Sequence, residues 1–301
     1  MSSSIHQVDL PDTWRQGHRS TGLLARVLRF TKQKPVAAIS GIVVFLLLLV
    51  AVMAPFIAPY PYNEPHVLQR LQGPSAAHWF GTDNQGRDVF SRVVYGAQIT
   101  VILSFGAVAL STVMSTLLGV VSGYFGGIVD TTIQRLVEIW QAFPGLIFII
   151  FVVSIFGSSR LGLIIVLGLI FGVGSSRVVR SATLSVRQLN YVEAALTLGA
   201  THRRVLFFHV LPNVVPVVIV TASVQIGAVI LAESSLSFLG FGTPPPFPSW
   251  GRMLQEAQQF MQSYPHLAVF PGAAIALVVF ALNMLGDGLR DVLDPRLRGS
   301  R

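Results

Sequence analysis

Apolar blocks of membrane-crossing length recur along this chain and restrict it more than any other feature. The first lies at 36–60 and holds a charge-free run at 42–53. A bilayer hydrocarbon core needs about 20 apolar residues per helical crossing. Further blocks stand at 99–122, 213–232 and 266–285, with two shorter ones at 143–157 and 161–174. Charged residues make up only 11% of the 301 residues, and mean hydropathy is +0.65. A soluble domain carries about 25% charged residues, so lipid must cover part of this surface. The segment 128–140 is apolar at Val129, Ile133, Leu136, Val137 and Trp140, a helical period. The third helix is therefore expected to start near Asp130 and run through Pro144 as one long, kinked element. The expectation is an all-α polytopic membrane protein with about six transmembrane helices. Treating the two short middle blocks as a re-entrant pair gives four crossings and the same parity.

Orientation follows from the basic residues. Arg15, Arg19, Arg26, Arg29, Lys32 and Lys34 precede the first span, and Arg177, Arg180, Arg187, Arg203 and Arg204 lie between the fourth and fifth. Arg290, Arg296, Arg298 and Arg301 follow the sixth. These three segments are expected to be cytoplasmic, which puts both termini inside. The layout is then a basic arm at 1–35, a retained first span at 36–60 and an extracytoplasmic loop at 61–98. A core at 99–289 includes a cytoplasmic loop at 175–212, and a tail at 290–301 follows. Leu23, Leu24, Val27 and Leu28 alternate with Arg26 and Arg29, a pattern suited to inner headgroups; a solvated basic arm is the other reading.

Several chemistries are excluded. The chain has no Cys, hence no disulfides, thiolate metal sites or cysteine nucleophile. No metal centre is expected, because His202 and His209 have no third ligand near them in sequence. The central turns of the spans lack ionisable residues, which disfavours an ion-coupled transporter. Glu233, His266 and Asp287 fall at span ends and are expected to be interfacially solvated. No catalytic signature of an intramembrane hydrolase is present, nor a phosphate-binding G-x-x-x-x-G-K-[ST] loop. Uphill transport would draw its energy from another chain.

The 175–212 loop is built for helices. Asn190 and Glu193 have capping-box spacing, so a short helix over 191–198 is expected, with Gly199 as its left-handed stop. Thr201 would cap a second helix reaching His209, and Pro212 and Pro216 would mark the turn into the fifth span. On residues alone, a docking helix and a merely basic loop both stand.

Glu193-Ala194-Ala195, three residues, Gly199, nine residues and His209-Val210-Leu211-Pro212 resemble the EAA signature of ABC importer permeases. His209 stands where most members carry an apolar residue, a departure familiar in the peptide-importer branch. Gly81-Thr82-Asp83-Asn84-Gln85-Gly86-Arg87-Asp88 resembles the segment before the second span in the oligopeptide, dipeptide and nickel group. The run from Glu233 to Gly240 with Pro248-Ser249-Trp250-Gly251 resembles that group's fifth-span exit and outer loop. Asn283 through Asp291 with Leu293-Asp294-Pro295-Arg296 is similar to its C-terminal signature and points to the "C" member of a permease pair.

The resemblance implies a non-catalytic permease of the bacterial inner membrane, with no cofactor on this chain and ATP and Mg on its partners. Those partners would be a second homologous permease, two P-loop ATPase subunits, an extracytoplasmic substrate-binding protein and the lipid bilayer, with no nucleic acid. Glu193, Ala194, Ala195, Gly199 and Ala200 would contact the ATPase; Asn190, Thr201, His209, Leu211 and Pro212 would shape the coupling loop. Gly81, Thr82, Asp83, Gly86, Arg87 and Asp88 would either meet the binding protein or form an outer turn. The cargo would be short peptides, with nickel chelates, glutathione or another small solute as alternatives. From another class, an ATP-independent channel or membrane scaffold would leave the 190–199 helix unexplained.

Overall fold

The computed structural model describes residues 34–293. Residues 1–33 of the basic arm with its amphipathic stretch, the tail residues Arg296, Arg298 and Arg301, and the signature residues Asp294 and Pro295 lie outside the described residues. Within them the chain forms helices α1 (Pro35–Ile57), α2 (Val89–Phe125), α3 (Gly127–Gln141), α4 (Gly145–Phe156) and α5 (Arg160–Arg187). After these come α6 (Asn190–Thr197), α7 (His202–Phe238), α8 (Trp250–Ala257) and α9 (His266–Leu293). Five of them are long and apolar enough to cross a membrane alone, and α3 with α4 passes the same test jointly across an 81° bend.

The bend is sharper than the kink expected from the sequence. Pro144 offers no N–H to a helix arriving from α3, and its ring drives Phe143 away from helical geometry. Helix α3 therefore ends at Gln141, and Pro144 takes the extended position before α4 (φ −57°, ψ 120°). The pair still makes one traverse. Gly126, at the close of α2, lies beside Arg187 at the close of α5, while Arg160, at the start of α5, stacks on Phe247. The chain travels the length of the bundle between these points, so the broken pair is the sixth candidate span, third in order.

Three boundaries differ from those read off hydropathy. Helix α2 begins at Val89, inside the expected outer loop, because the Asp88 carboxylate accepts the Ser91 N–H at 2.7 Å and caps it. Helix α5 continues to Arg187, so the first third of the expected cytoplasmic loop is helix. Pro212 and Pro216 do not mark a turn, since both lie within α7. A π-helical turn at Leu206–Val210 precedes Pro212, and Asn213 Nδ2 donates to the His209 carbonyl at 2.7 Å. Such side-chain and local backbone adjustments let a helix pass through proline. The connecting loop shrinks to 188–201.

The most extensive helix pairing joins α2 and α5 through small residues. Ala107, Ser111, Ser115, Gly119 and Gly123 recur every fourth position on α2 and are buried, as are Gly168, Gly172 and Ser176 on α5. A Cβ at Gly119 would stand 2.6 Å from the Ser176 carbonyl oxygen, and one at Gly172 would stand 2.9 Å from Met114 Cβ. The two backbones touch, as helices in lipid do where only dispersion and close approach hold them.

Candidate coupling site

Helix α6 and the start of α7 lie at the end of the bundle where α2 and α5 finish. Leu189, not Asn190, is the N-cap of α6; Asn190 enters the helix, and no side chain caps it. The expected capping box is therefore not formed. Val192 causes the one-residue slip. It is buried beside Val120, Tyr124, Val179 and Val205, and that anchorage fixes the rotation of the helix. Glu193 is left exposed in the first turn, with no side-chain hydrogen bond among the described residues. Its charge still suits the positive end of the helix.

The stop of α6 is as the sequence suggests. Gly199 has φ +84°, its N–H donates to the Leu196 carbonyl at 2.9 Å, and the Ala200 N–H donates to the Ala195 carbonyl at 3.0 Å. These two bonds are the paired closure of a Schellman motif. Thr201 then caps α7 by accepting the Arg204 N–H at 3.4 Å. Tyr124 Oη and His202 Nδ1 approach within 3.0 Å, tying this turn to the end of α2.

Exposure divides the segment in two. Val192, Val205, Val210 and Val214 are buried in the ends of α2, α5 and α7, while Glu193, Ala194, Leu198, Phe207 and Phe208 face outward. Leu198 is 88% exposed and Phe208 is 74% exposed. Val192 and Val205 root this exposed segment in the spans. Nearby, Arg180 on α5 holds Asp130 on α3 through two hydrogen bonds, at 2.6 Å and 2.5 Å, so α3 is fastened to the same frame.

The backbone explains one consequence of substitution. A Cβ at Gly199 would meet nothing within 4 Å, so the cost of a larger residue there is conformational. Gly199→Val is expected to strain the turn by about 1–3 kcal/mol and reduce uptake, whereas Gly199→Asn, which tolerates left-handed geometry, should retain most of it. Equal uptake by the two variants at equal expression would contradict this.

At the opposite end, residues 81–88 fold inward. Gly81 and Gly86 take φ of +77° and +79°, and Asp83 Oδ1 accepts the N–H groups of Gln85 and Arg87 at 2.8 Å and 3.0 Å. Asp83 Oδ2 receives Arg87 at 2.6 Å and Arg92 at 2.9 Å. Both arginines also reach Glu256 Oε2 on α8, at 2.8 Å and 3.1 Å. Asp88 binds His78 Nδ1 at 2.9 Å while capping α2. Thr82, Asp83, Arg87 and Asp88 are all buried. The sequence did not reveal Arg92 or Glu256 as members of this cluster. Trp250 is buried as well, its indole N–H donating to the Val93 carbonyl at 2.9 Å and its ring lying over Gly96. Glu233 departs from its expected interfacial place. It is 1% exposed within α7 and accepts from Ser237 Oγ at 2.6 Å.

Five membrane-length apolar helices, a broken sixth candidate and a short exposed helix anchored in their ends make this a multi-pass membrane protein. The chain belongs to the family of binding-protein-dependent transport system inner membrane components, whose model matches residues 115–299. A second model, the N-terminal TM domain of oligopeptide transport permease C, matches residues 22–74. The dipeptide transport system permease protein DppC of Alkalihalophilus pseudofirmus is 40% identical over 89% of this chain and 88% of its own length. The glutathione transport system permease protein GsiD of Pectobacterium atrosepticum is 42% identical over 90% of each. Among solved structures, a methionine ABC transporter in inward-facing conformations is similar over 67% of this chain and 96% of its own, with a TM-score of 0.55 and 18% identity. The protein is thus an inner-membrane permease of an ABC importer and a multi-pass member of the oligopeptide and dipeptide group.

Proposed function

We propose that this chain forms part of the translocation path for short peptides and opens it by alternating access, with ATP hydrolysed on other subunits. The observation that carries the reading is α6 with its Schellman turn, exposed on Glu193, Ala194 and Leu198 and rooted in the spans through Val192. A P-loop ATPase would receive that face, with Ala195, Gly199 and Ala200 shaping it. Closure of two ATPases around Mg and ATP would draw α6 inward and, through α2, α5 and α7, reopen the opposite end. In this reading α6 and both termini are cytoplasmic. Lys34 pairs with Asp291 at 2.6 Å, which supports placing the two ends of the described chain on one side. A second permease would complete the path and an extracytoplasmic binding protein would deliver cargo. Peptide cargo is supported by the similarity to permeases for dipeptides and for glutathione, itself a tripeptide. The buried Asp83–Arg87–Arg92–Glu256 cluster serves as an internal brace of the outer end, its side chains being spent on one another.

The test is a mild-detergent pull-down of the tagged chain, wild type beside Glu193→Ala, with partners identified by mass spectrometry. Because Glu193 caps nothing, its removal should cost α6 only about 0.3–1 kcal/mol of dipole interaction, so the fold survives and docking is tested separately. Wild type is expected to recover a second permease and a P-loop ATPase, with the ATPase reduced in the variant. Recovery of the chain alone after crosslinking would favour the ATP-independent channel or scaffold.

A further inference from the structure

The break between α3 and α4 opens on a cavity of about 500 Å³, whose lining includes Trp140, Phe148, Phe171, Gly174, Ser175 and Gln225. That size is in the range of small-molecule sites. Its depth is informative. Gly174 stands midway along α5, and Gln225 stands midway along the Leu211–Phe238 stretch of α7, so the cavity lies near the middle of the bundle. Irregular backbone at that depth is tolerated only when buried in protein or bordering water. No lining residue is Asp, Glu, Lys, Arg or His. The polar groups are neutral. Gln141 lies at the rim with Nε2 3.5 Å from the Gly174 carbonyl, and the Trp140 indole N–H is buried with no partner. Gln225 is held in place by accepting from Ser111 Oγ at 2.9 Å and donating to the Phe171 carbonyl at 3.2 Å.

We propose that this cavity is a substrate-contact subsite on the wall of the path, recognising the uncharged amide backbone of a short peptide. The proposal rests on the peptide-importer reading above. Trp140 N–H and Gln141 match peptide carbonyl and N–H groups, and the rings of Trp140 and Phe143, 5.1 Å and 5.8 Å from that of Phe148, accept varied apolar side chains. A lining without charge holds a peptide only loosely, as a path must, and leaves discrimination of its charged ends to other groups. Gln225 is a positioning residue, keeping α2, α5 and α7 in register around the space.

The test uses the complete importer in proteoliposomes and counts a radiolabelled dipeptide moved per ATP hydrolysed. Trp140→Ala is expected to lower that ratio about three- to tenfold, the range of one lost aromatic contact, and Trp140→Phe to lower it less. A second measurement is independent of that variant's folding. Because the chain has no Cys, Phe143→Cys supplies the one thiol on this chain, and its maleimide labelling, read on this chain separated from its partners, should slow during turnover when dipeptide is present and be unaffected by dipeptide when the binding protein is omitted. Labelling indifferent to dipeptide, or a wild-type ratio in Trp140→Ala, overturns the subsite while ATP-dependent uptake leaves the importer reading standing. Dipeptide uptake by wild type that needs no ATP overturns the importer reading and the subsite with it.

Discussion

Gly119→Leu is expected to leave almost no folded protein in the membrane. The α-carbon of Gly119 faces α5 so closely that a Cβ would lie 2.6 Å from the Ser176 carbonyl oxygen, 2.7 Å from Val179 Cβ and 2.8 Å from the Arg180 N. Two of these three atoms are backbone and cannot swing aside. Overpacking a tight core costs about 1–3 kcal/mol where side chains can adjust, and here they cannot. Separating α2 from α5 would also open the contacts at Gly123, Gly168 and Gly172 and disturb the Arg180–Asp130 pair that fastens α3. Gly119→Ala should melt below wild type in detergent, and Gly119→Leu should be recovered in trace amounts. Gly41→Ala is the control, because its nearest neighbour would be Leu285 Cδ1 at 3.7 Å. It should melt no lower than wild type, since replacing a mid-helix glycine removes about 0.5–1 kcal/mol of entropic cost. Wild-type yield and melting for Gly119→Leu would mean that the two backbones do not touch.

The number of candidate spans, the place of the short α6 helix and the positive φ of Gly199 were legible because each depends on residues close in sequence. Hydropathy finds a lipid-facing block, and a left-handed stop needs only glycine after a helical run. What stayed hidden depends on residues far apart. The four-residue recurrence of small residues at 107–123 and 168–176 was present in the sequence, but it scores as mild hydropathy and says nothing about its partner until the helices meet. Residues 81–88 left two readings open because their partners were out of sight: Glu256 is separated from Arg87 by 169 positions. The capping box at Asn190 and Glu193 was a local pattern overridden by the burial of Val192, which is tertiary. Helix ends were misplaced for a related reason. Asp88 and the arginines of α5 are polar, and a hydropathy window stops at them, whereas the helices continue past the apolar layer. Glu233 was read from its position in the span, but Ser237 and the folded-back 241–249 segment enclose it.

Arg92→Met is expected to cost about 1–3 kcal/mol, the penalty for leaving buried acceptors short of a hydrogen-bond partner. The Arg92 side chain is 2% exposed and is shared between Asp83 at 2.9 Å and Glu256 at 3.1 Å. Methionine fills the volume but leaves both carboxylates with one cation fewer. Arg87 still bridges Asp83 and Glu256, and Arg252 still bonds Glu256, so each carboxylate keeps a cation but loses one of its donors. Since Asp83 also organises the 83–87 turn and Glu256 belongs to α8, the loss should loosen this whole end of the bundle rather than a single contact. Arg92→Lys should rescue little, because an ammonium is a point charge and cannot present two N–H groups to two acceptors at fixed separation. The comparison is Arg135→Met. Arg135 bonds Glu138 at 2.9 Å, as short as the buried contacts, but the side chains are 74% and 49% exposed, and such pairs contribute about 0–1 kcal/mol. Protease accessibility of the 61–88 segment in intact membranes separates the two. Arg92→Met should be cleaved there readily, and Arg135→Met should resist like wild type. Equal resistance in both variants would show that the Asp83–Glu256 cluster is dispensable, and that this end is held by Trp250 and the backbone of 81–88 instead.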